Sequence, residues 1–483
     1  MLNNGPLVIV GGGTAGWLAA LLAKKYCPEK NITVVASEEI GILGAGEGTV
    51  PHFIQVLQTL DISPEEIVKK CSGTIKLGID FVNWNGDGQS FWHGFEALSK
   101  EISFSGMDNE SAAHVISSKN ALSSLSLGKC LFSENKVPFT YVDETSLSPI
   151  GFFAFHFDAH LLAGFLKDTA IERGITYIND KIMDVDIDRS GNISLLHLEK
   201  SPPISPFFVF DCSGLKRIIL GKRLRAEWVS YEKELLCTKA MPFFMPHSGD
   251  VSPATSAVAM KHGWVWKIPT QERYGCGYVF DETTCSEEDA KKEIEDSFNI
   301  KLPSVKSFNF SPGYYKNPLK NNCLAVGLAH SFLEPMEATS IWGTCLMLID
   351  FFSKKGLEDF SKGFQQSYNK RAEELTNTFK LFILAHYKSN RKDTVFWRKF
   401  SKTLCAEIRK KKDCIEETFF SQNVCFVFEP YSWAVMLSAY NRFRKKDSKG
   451  KGRSSLTARK NKILDEVQKC VTHKDFLNTV LSV

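Results

Sequence analysis

Gly11, Gly13 and Gly16 form a G-x-G-x-x-G pattern directly after the apolar run Leu7-Val8-Ile9-Val10. At a strand-to-helix turn the first glycine permits the tight bend and the second lets the backbone approach a pyrophosphate. The third lets helix and strand pack closely. The helix-like stretch Ala15 to Tyr26, ended by Pro28, and a second apolar run, Ile32 to Val35, complete a β-α-β unit. Thr14 and Ala15 then open the helix that would face a dinucleotide. An acidic residue commonly ends the second strand and holds the adenosine ribose, but here Ala36 stands there, followed by Ser37, Glu38 and Glu39.

Four further groups of residues carry chemistry. Lys76 lies within the mainly apolar Ile75-Lys76-Leu77-Gly78-Ile79. Desolvation there disfavours the ammonium and frees the amine as a nucleophile or directional donor. The plainer alternative is a surface lysine on a strand. Glu334 and Glu337 are three apart, and Pro335 between them predicts a turn rather than a helix. A carboxylate in such a place stabilises a cation and accepts a proton. Trp264 and Trp266, two apart, put both rings on one face of a strand. His93 and Phe95 could sandwich a flat aromatic molecule between them.

The elements that must position these residues belong to a large chain. At 483 residues it exceeds what one hydrophobic core organises. Hydrophobic residues make up 43% and charged residues 24%, as in an ordinary globular protein, and the net charge of +4 argues for neither nucleic-acid nor membrane partners. Thirteen cysteines are scattered without a CxxC pair or zinc spacing, so no metal site is expected. The N-terminus lacks the basic segment and cleavage site of a signal peptide, which together with the free thiols predicts a cytoplasmic protein. Aromatics are in excess, with 36 phenylalanines, pointing to a Phe-rich core or a pocket for a flat substrate.

Strand-like and helix-like pieces alternate along the chain. His160 to Arg173, Glu287 to Ser297 and Gly356 to Thr378 read as helices; Ile193 to Leu198 and Phe207 to Phe210 read as strands. The last third has helical periodicity and contains the Lys-, Ser- and Gly-rich stretch Arg442 to Lys462, expected to be a solvated loop. The expected architecture is α/β. A Rossmann-like dinucleotide-binding module would occupy residues 1–350, by family resemblance an FAD-binding module of the flavin monooxygenase type, with substrate-pocket segments inserted around 52–149. A mainly helical region, 351–483, would complete the pocket.

Several segments, in order, resemble the flavin-dependent tryptophan halogenase family. Gly263 to Pro269, GWVWKIP, reproduces its W-x-W-x-I-P signature through Trp264, Trp266, Ile268 and Pro269, and runs on into Gly275, Gly277 and Tyr278. Gly46-Glu47-Gly48-Thr49-Val50-Pro51 resembles the loop over the flavin, and Ile75 to Ile79 the segment with the essential lysine. Phe91 to Phe95 resembles the aromatic-His segment of the tryptophan pocket. His156 to Ala159 and Asp211 to Gly214 are further landmarks, with His156 and Asp158 read as architecture rather than catalysts. Gly327 to Thr339 resembles the second flavin-contacting segment, and His386-Tyr387 with Phe396-Trp397 a late helix. The resemblance covers roughly residues 5 to 400. The family's Ser-Thr-Gly after the essential glutamate is Ala338-Thr339-Ser340 here.

The resemblance implies an enzyme that uses FADH2, O2 and a halide ion to make hypohalous acid and attach the halogen to an indole or phenol-like substrate. It assigns delivery to Lys76 and support of ring attack and proton loss to Glu337. FAD would lie on Gly11, Gly13, Thr14, Ala15, Gly16, Ala36, Ser37, Gly46, Glu47, Gly48, Thr49, Gly327 and Leu333. Halide would rest near Thr339 and Ser340. Substrate would meet Pro51, His93, Phe95 and Trp433, behind a partition of Trp264, Trp266, Ile268 and Pro269. With no second nucleotide loop for NADH, a separate NAD(P)H flavin reductase is the expected partner; a homo-oligomer stays open. The competing readings are an FAD-dependent aromatic monooxygenase and a flavin-binding protein without turnover.

Overall fold

The computed structural model describes residues 5–42, 44, 46–95, 125–247, 249–359, 361–400, 405–417, 428, 430–440 and 453–482. Residues 442–452 of the expected loop Arg442 to Lys462, and residues 96–124 of the pocket segment, lie outside the described residues; from Arg453 the expected loop is instead helix, Arg453–Lys469.

The apolar runs near the N-terminus form Leu7–Val10 and Ile32–Ala36, neighbours in a six-stranded sheet. Its order is Thr176–Asn179, Ile32–Ala36, Leu7–Val10, Phe208–Asp211, Cys323–Ala325 and Leu319–Lys320, parallel except for the last pair. All four residues of Leu7–Val10 are buried, as a parallel strand covered on both faces requires. The helix Thr14–Tyr26 follows the glycine turn and is buried continuously from Gly16 to Ala23. Gly11 takes φ 122°, and a Cβ there would stand 2.2 Å from the Cys212 carbonyl oxygen; a Cβ on Gly16 would meet the Gly11 carbonyl at 2.0 Å. Those two backbones touch only because both side chains are absent.

A second sheet of seven strands runs Phe308–Asn309, Lys239–Met245, Tyr274–Phe280, Gly263–Pro269, Thr255–Ala259, Gly78–Val82 and Ser90–Gly94. One pairing in it is parallel, between Thr255–Ala259 and Gly78–Val82, and it sets the strand that follows Lys76 one strand away from the paired tryptophans. Much of the aromatic excess goes into the core on this sheet. Trp84, Trp264, Trp397 and Trp433 are all at most 1% exposed, and they pack with Phe81, Phe382, Tyr387 and Tyr440. The expected strand Ile193–Leu198 is present, and the expected helices near 160 and 287 are Ala159–Glu172 and Glu287–Phe298.

The expected helix from Gly356 to Thr378 needs correction. A turn occupies 354–358, and the helix is Lys362–His386, whose first turn is capped by the Ser361 side chain accepting from Phe364 N. The amphipathic pattern located the helix body. Its real end lies eight residues later, where Phe379, Phe382, Ile383, Leu384 and Ala385 are all buried. The strand expected at Phe207 to Phe210 is Phe208–Asp211.

The last described helices, Arg453–Lys469 and His473–Ser482, return to the first core, where Ile463, Val467 and Phe476 join Leu7 and Leu18. His473 is fully buried. It accepts the Ile75 backbone N–H at Nε2 (3.1 Å) and donates from Nδ1 to the Val251 carbonyl (2.9 Å). A ring from the C-terminal helix thus closes one edge of the short strand Thr74–Lys76. Among the described residues no helix is long and apolar enough to cross a membrane.

Two outcomes follow from this packing. Gly16→Ala should cost about 1–3 kcal/mol in thermal or urea unfolding, because the new methyl meets backbone that cannot rotate away. Burial pushes the His473 imidazole down from 6.5 to about 4, so as pH falls through 6.5 the unfolded chain binds the proton first. Stability from this ring, about 3 kcal/mol, should be intact above pH 6.5 and drain away towards pH 4. Urea titrations at both ends of that range should show a flatter pH slope for His473→Gln than for the wild type; equal slopes would refute the assignment.

Candidate active site

The glycine turn leaves the N-terminus of Thr14–Tyr26 open. Gly13 caps it without a side-chain hydrogen bond, and a Cβ built on Gly13 meets nothing within 4 Å. Gly327, at φ 62°, brings the later segment against the same helix start, where a Cβ would stand 2.7 Å from Ala15 Cβ. Free N–H groups at a helix N-terminus beside two glycine backbones fit a pyrophosphate, so the residues present suit FAD. At the second strand's end Glu38 pairs with Lys167 and Glu39 with Lys181, and the Ala36 carbonyl accepts from Asp180 N. Both carboxylates are therefore held by lysines on the protein surface, which leaves Ser37 as the neighbouring residue without such a partner.

Three short strands place the lysine. Glu47–Gly48 and Thr74–Lys76 both pair with Ala154–Phe157, so that Gly48 and Thr74 flank His156 and Lys76 faces Ala154. Lys76 is 2% exposed, which rejects the surface-lysine alternative. Its Nζ donates to the Thr49 carbonyl at 3.0 Å and lies 5.3 Å from the Phe95 ring centre. Burial pushes the amine down from 10.5 to about 8, partly opposed by the charge of Glu337. A Cβ on Gly48 would come within 3.1 Å of Nζ, so glycine makes room for the amine. His156 is sealed between the Thr74 and Thr255 hydroxyls and held neutral by burial. Asp158 caps Ala159–Glu172 through its side chain and pairs with Arg273. Both have structural partners, in keeping with architecture.

Pro335 does break the chain. Met336–Ala338 is a single tight turn, with Glu337 at φ 64° and Ala338 at φ 54°. Two successive left-handed residues with side chains cost about 1–3 kcal/mol each, and such strain collects where geometry matters more than comfort. The turn drives Glu337 inward, to 5% exposure. His93 Nδ1 lies 2.8 and 2.9 Å from its two oxygens, and His386 Nε2 lies 2.9 Å from Oε1. Burial pushes this carboxyl up, but the two imidazoles outweigh it and hold the group well below the usual carboxylate range.

Glu334, three residues earlier, has the opposite fate. It is 2% exposed, and burial raises it to about 7 against two donors. Trp264 Nε1 and the Tyr387 hydroxyl both donate to its Oε2, at 2.9 and 2.5 Å. Glu334 therefore ties the tryptophan strand to the end of Lys362–His386. Trp264 and Trp266 share a face as expected, their rings 6.3 Å apart, with Trp266 lying over Gly277. Ile268 and Pro269 continue that buried strand.

After this turn the helix Thr339–Ser353 begins with no side-chain cap; Thr339 is buried and Ser340 exposed. Leu333 and Trp433 are buried in the aromatic core, Trp433 edge-on to Phe382 at 5.0 Å, while Pro51 starts the helix His52–Thr59. The sequence reading named Glu337 and Glu334 without their partners. His386 and Tyr387 were read only as part of a late helix, yet they hold Glu337 and Glu334. Their signal was a His-Tyr pair at the apolar end of an amphipathic helix, where a polar side chain must find a buried partner.

A model of the tryptophan halogenase family matches residues 6–451, beyond the point near 400 where motif resemblance ended. The chain is 30% identical to tryptophan 7-halogenase RebH of Lentzea aerocolonigenes, over 81% of this chain and 78% of that protein. Its fold is similar to Xcc4156, a flavin-dependent halogenase from Xanthomonas campestris (TM-score 0.85, 25% identity, 98% of this chain and 97% of that one). The fold also matches tryptophan 6-halogenase SttH from Streptomyces toxytricini (TM-score 0.89, 24% identity, 98% and 99% covered). A match running almost from the first strand to beyond the late helices, with Lys76 and Glu337 both buried in one interior, places the chain in the tryptophan halogenase family of flavin-dependent enzymes.

Proposed function

We propose that the chain halogenates an electron-rich aromatic substrate, indole or phenol-like, with Lys76 delivering the halogen and Glu337 supporting the ring as it becomes cationic. The observation that carries this reading is the burial of an amine and a carboxylate in one aromatic-walled interior, close enough for the charge of Glu337 to act on Lys76. Bound reduced FAD, with O2 and a halide ion, supplies hypohalous acid. The chain's own residues do the rest. Gly11, Gly13 and Gly16 bind the cofactor backbone to backbone, and the uncapped start of Thr339–Ser353 offers its N–H groups to the halide. Trp264 and Trp266 wall off the chamber and keep water out, so that hypohalous acid meets Lys76 before it meets a thiol.

At Lys76 a neutral amine is accessible near neutral pH because burial has already weakened its hold on the proton. Thr49 fixes the direction of Nζ, and Gly48 leaves the space it needs. Glu337, kept ionised, lies ready for the positive charge that electrophilic attack puts on the ring. His93 and Phe95 flank this region, with the His93 ring tilted against Phe382 at 5.6 Å. The reduced cofactor would come from a separate NAD(P)H flavin reductase. Eleven free cysteines among the described residues fit the reducing cytoplasm, where such a reductase works.

The decisive experiment incubates the protein with FAD, a reductase, NADH and chloride, bromide or iodide against a panel of indoles and phenols. Mass spectrometry should find the halogen isotope pattern in at least one product; hydroxylated products that ignore the halide would overturn the reading. Lys76→Ala should bind FAD yet lose about 100-fold or more of product formation. Gly48→Ala, which crowds Nζ, should lower kcat about 10- to 100-fold, the penalty of misplacing a reacting group by an ångström. The wild-type rate should break near pH 8. A rise through that pH marks attack by the neutral amine, and a fall marks an ammonium that orients hypohalous acid.

A further inference from the structure

The proton inventory around Glu337 is set by its partners. His386 Nδ1 lies 2.8 Å from the Phe382 carbonyl, an atom that only accepts, so Nδ1 carries a proton. The other nitrogen of the same ring is 2.9 Å from Glu337 Oε1. A neutral imidazole has one N–H and has already used it. A second proton therefore lies on the line between His386 Nε2 and Glu337. His386 is 0% exposed, so the proton it shares with Glu337 is out of reach of solvent.

On the other flank, His93 Nδ1 points at both oxygens of Glu337 and can only be the donor to an ionised carboxylate. In the neutral ring that contact puts the proton on Nδ1 and the lone pair on Nε2. Nε2 has no hydrogen-bond partner among the described residues, and it is not one of the sealed polar atoms. The side chain keeps 8% of its surface open. His93 stands opposite Ile79 in the sheet, two residues before Phe95, whose ring faces the Lys76 amine. A base with a free lone pair thus borders the space into which the halogen is delivered.

We propose that His93 is a catalytic residue, the base that takes the ring proton, with Glu337 orienting it through Nδ1 and His386 holding Glu337 from behind. This rests on the halogenation reading above and assigns its last step. The oxygen–halogen bond of hypohalous acid breaks with its electron pair going to oxygen, while a ring π pair forms the new carbon–halogen bond. The ring C–H bond then breaks, its pair restores aromaticity, and the proton moves to His93 Nε2. That proton and the released hydroxide leave as water, so that ArH and HOX become ArX and H2O. Glu337 is a poor candidate for this transfer. Its oxygens already accept from two imidazoles, whereas His93 Nε2 has no such partner and imidazole is a common general base. The imidazolium formed at His93 is stabilised by the carboxylate it already contacts.

The test separates stacking from base catalysis. His93→Phe keeps a flat ring against the substrate and removes the lone pair. FAD binding and melting temperature report whether the variant is folded. Its kcat should fall about 100-fold with substrate KM changed by less than about threefold. A primary isotope effect should appear with substrate deuterated at the halogenated carbon, and added imidazole should restore part of the rate. A His93→Phe enzyme within about threefold of wild-type kcat, with no isotope effect, would reduce His93 to a wall of the pocket and overturn the proposal. If that variant does not fold, His386→Gln provides the second arm. It leaves His93 in place but removes the ring that holds Glu337 from behind, and the isotope effect should appear there too; wild-type kinetics in it would contradict the role given to this pair. Failure of the halogenation reading itself shows differently, as a wild type that makes no halogenated product.

Discussion

An ionised carboxylate buried between two imidazoles is the constraint around which this molecule is built. Taking such a group out of water costs several kcal/mol, and removing one partner from a buried pair leaves the charge exposed to a medium that cannot solvate it. The chain meets that cost with His93 and His386, which lie 244 and 49 positions from Glu337 in sequence. Bringing them together requires the seven-stranded sheet for one ring, the last turn of Lys362–His386 for the other, and a strained left-handed turn for the carboxylate. Each element has its own packing, but their common purpose is visible only at this junction.

Glu334 and Glu337 show how three residues of separation can divide two chemistries. Glu337 meets imidazoles and stays charged; Glu334 meets only the indole N–H of Trp264 and the phenol of Tyr387, and burial raises it to about 7. Pairs of carboxylates pushed apart by their surroundings are a recurrent way for one fold to hold both a charge and a neutral acid at the same pH. Here the raised member ties the Trp264 strand to the late helix, and the charged member lies between the two imidazoles. The amine of Lys76 completes the set. It too is buried, with a carbonyl rather than a carboxylate as its nearest partner, which keeps its proton loosely held.

What the sequence made legible was local. The glycine turn, the alternation of Trp264 and Trp266, and the turn at Pro335 each depend on residues a few positions apart, and periodicity or steric exclusion reveals them. The end of Lys362–His386 was misjudged because its final turns are apolar on several sides, so that amphipathic contrast fades just where the helix enters the aromatic core. Lys76 illustrates a different limit. Its residue type argues for the surface, and its burial depends on three strands whose pairing no local pattern announces. The same holds for His473, which reaches the strand Thr74–Lys76 from 398 positions away. Partners of this kind are set by tertiary packing, and only the kinship of ordered segments pointed toward the interior they share.

The central claim is that Lys76 presents a loosely protonated amine in a dry interior. Its most direct test is the pH dependence of reductive methylation of Lys76 in the folded, FAD-loaded protein, followed peptide by peptide in a mass spectrometer. Half-reaction near pH 8, set apart from the surface lysines near 10.5, is the result this structure requires. A Lys76 that titrates with the surface lysines, and is modified as fast as they are, would contradict it.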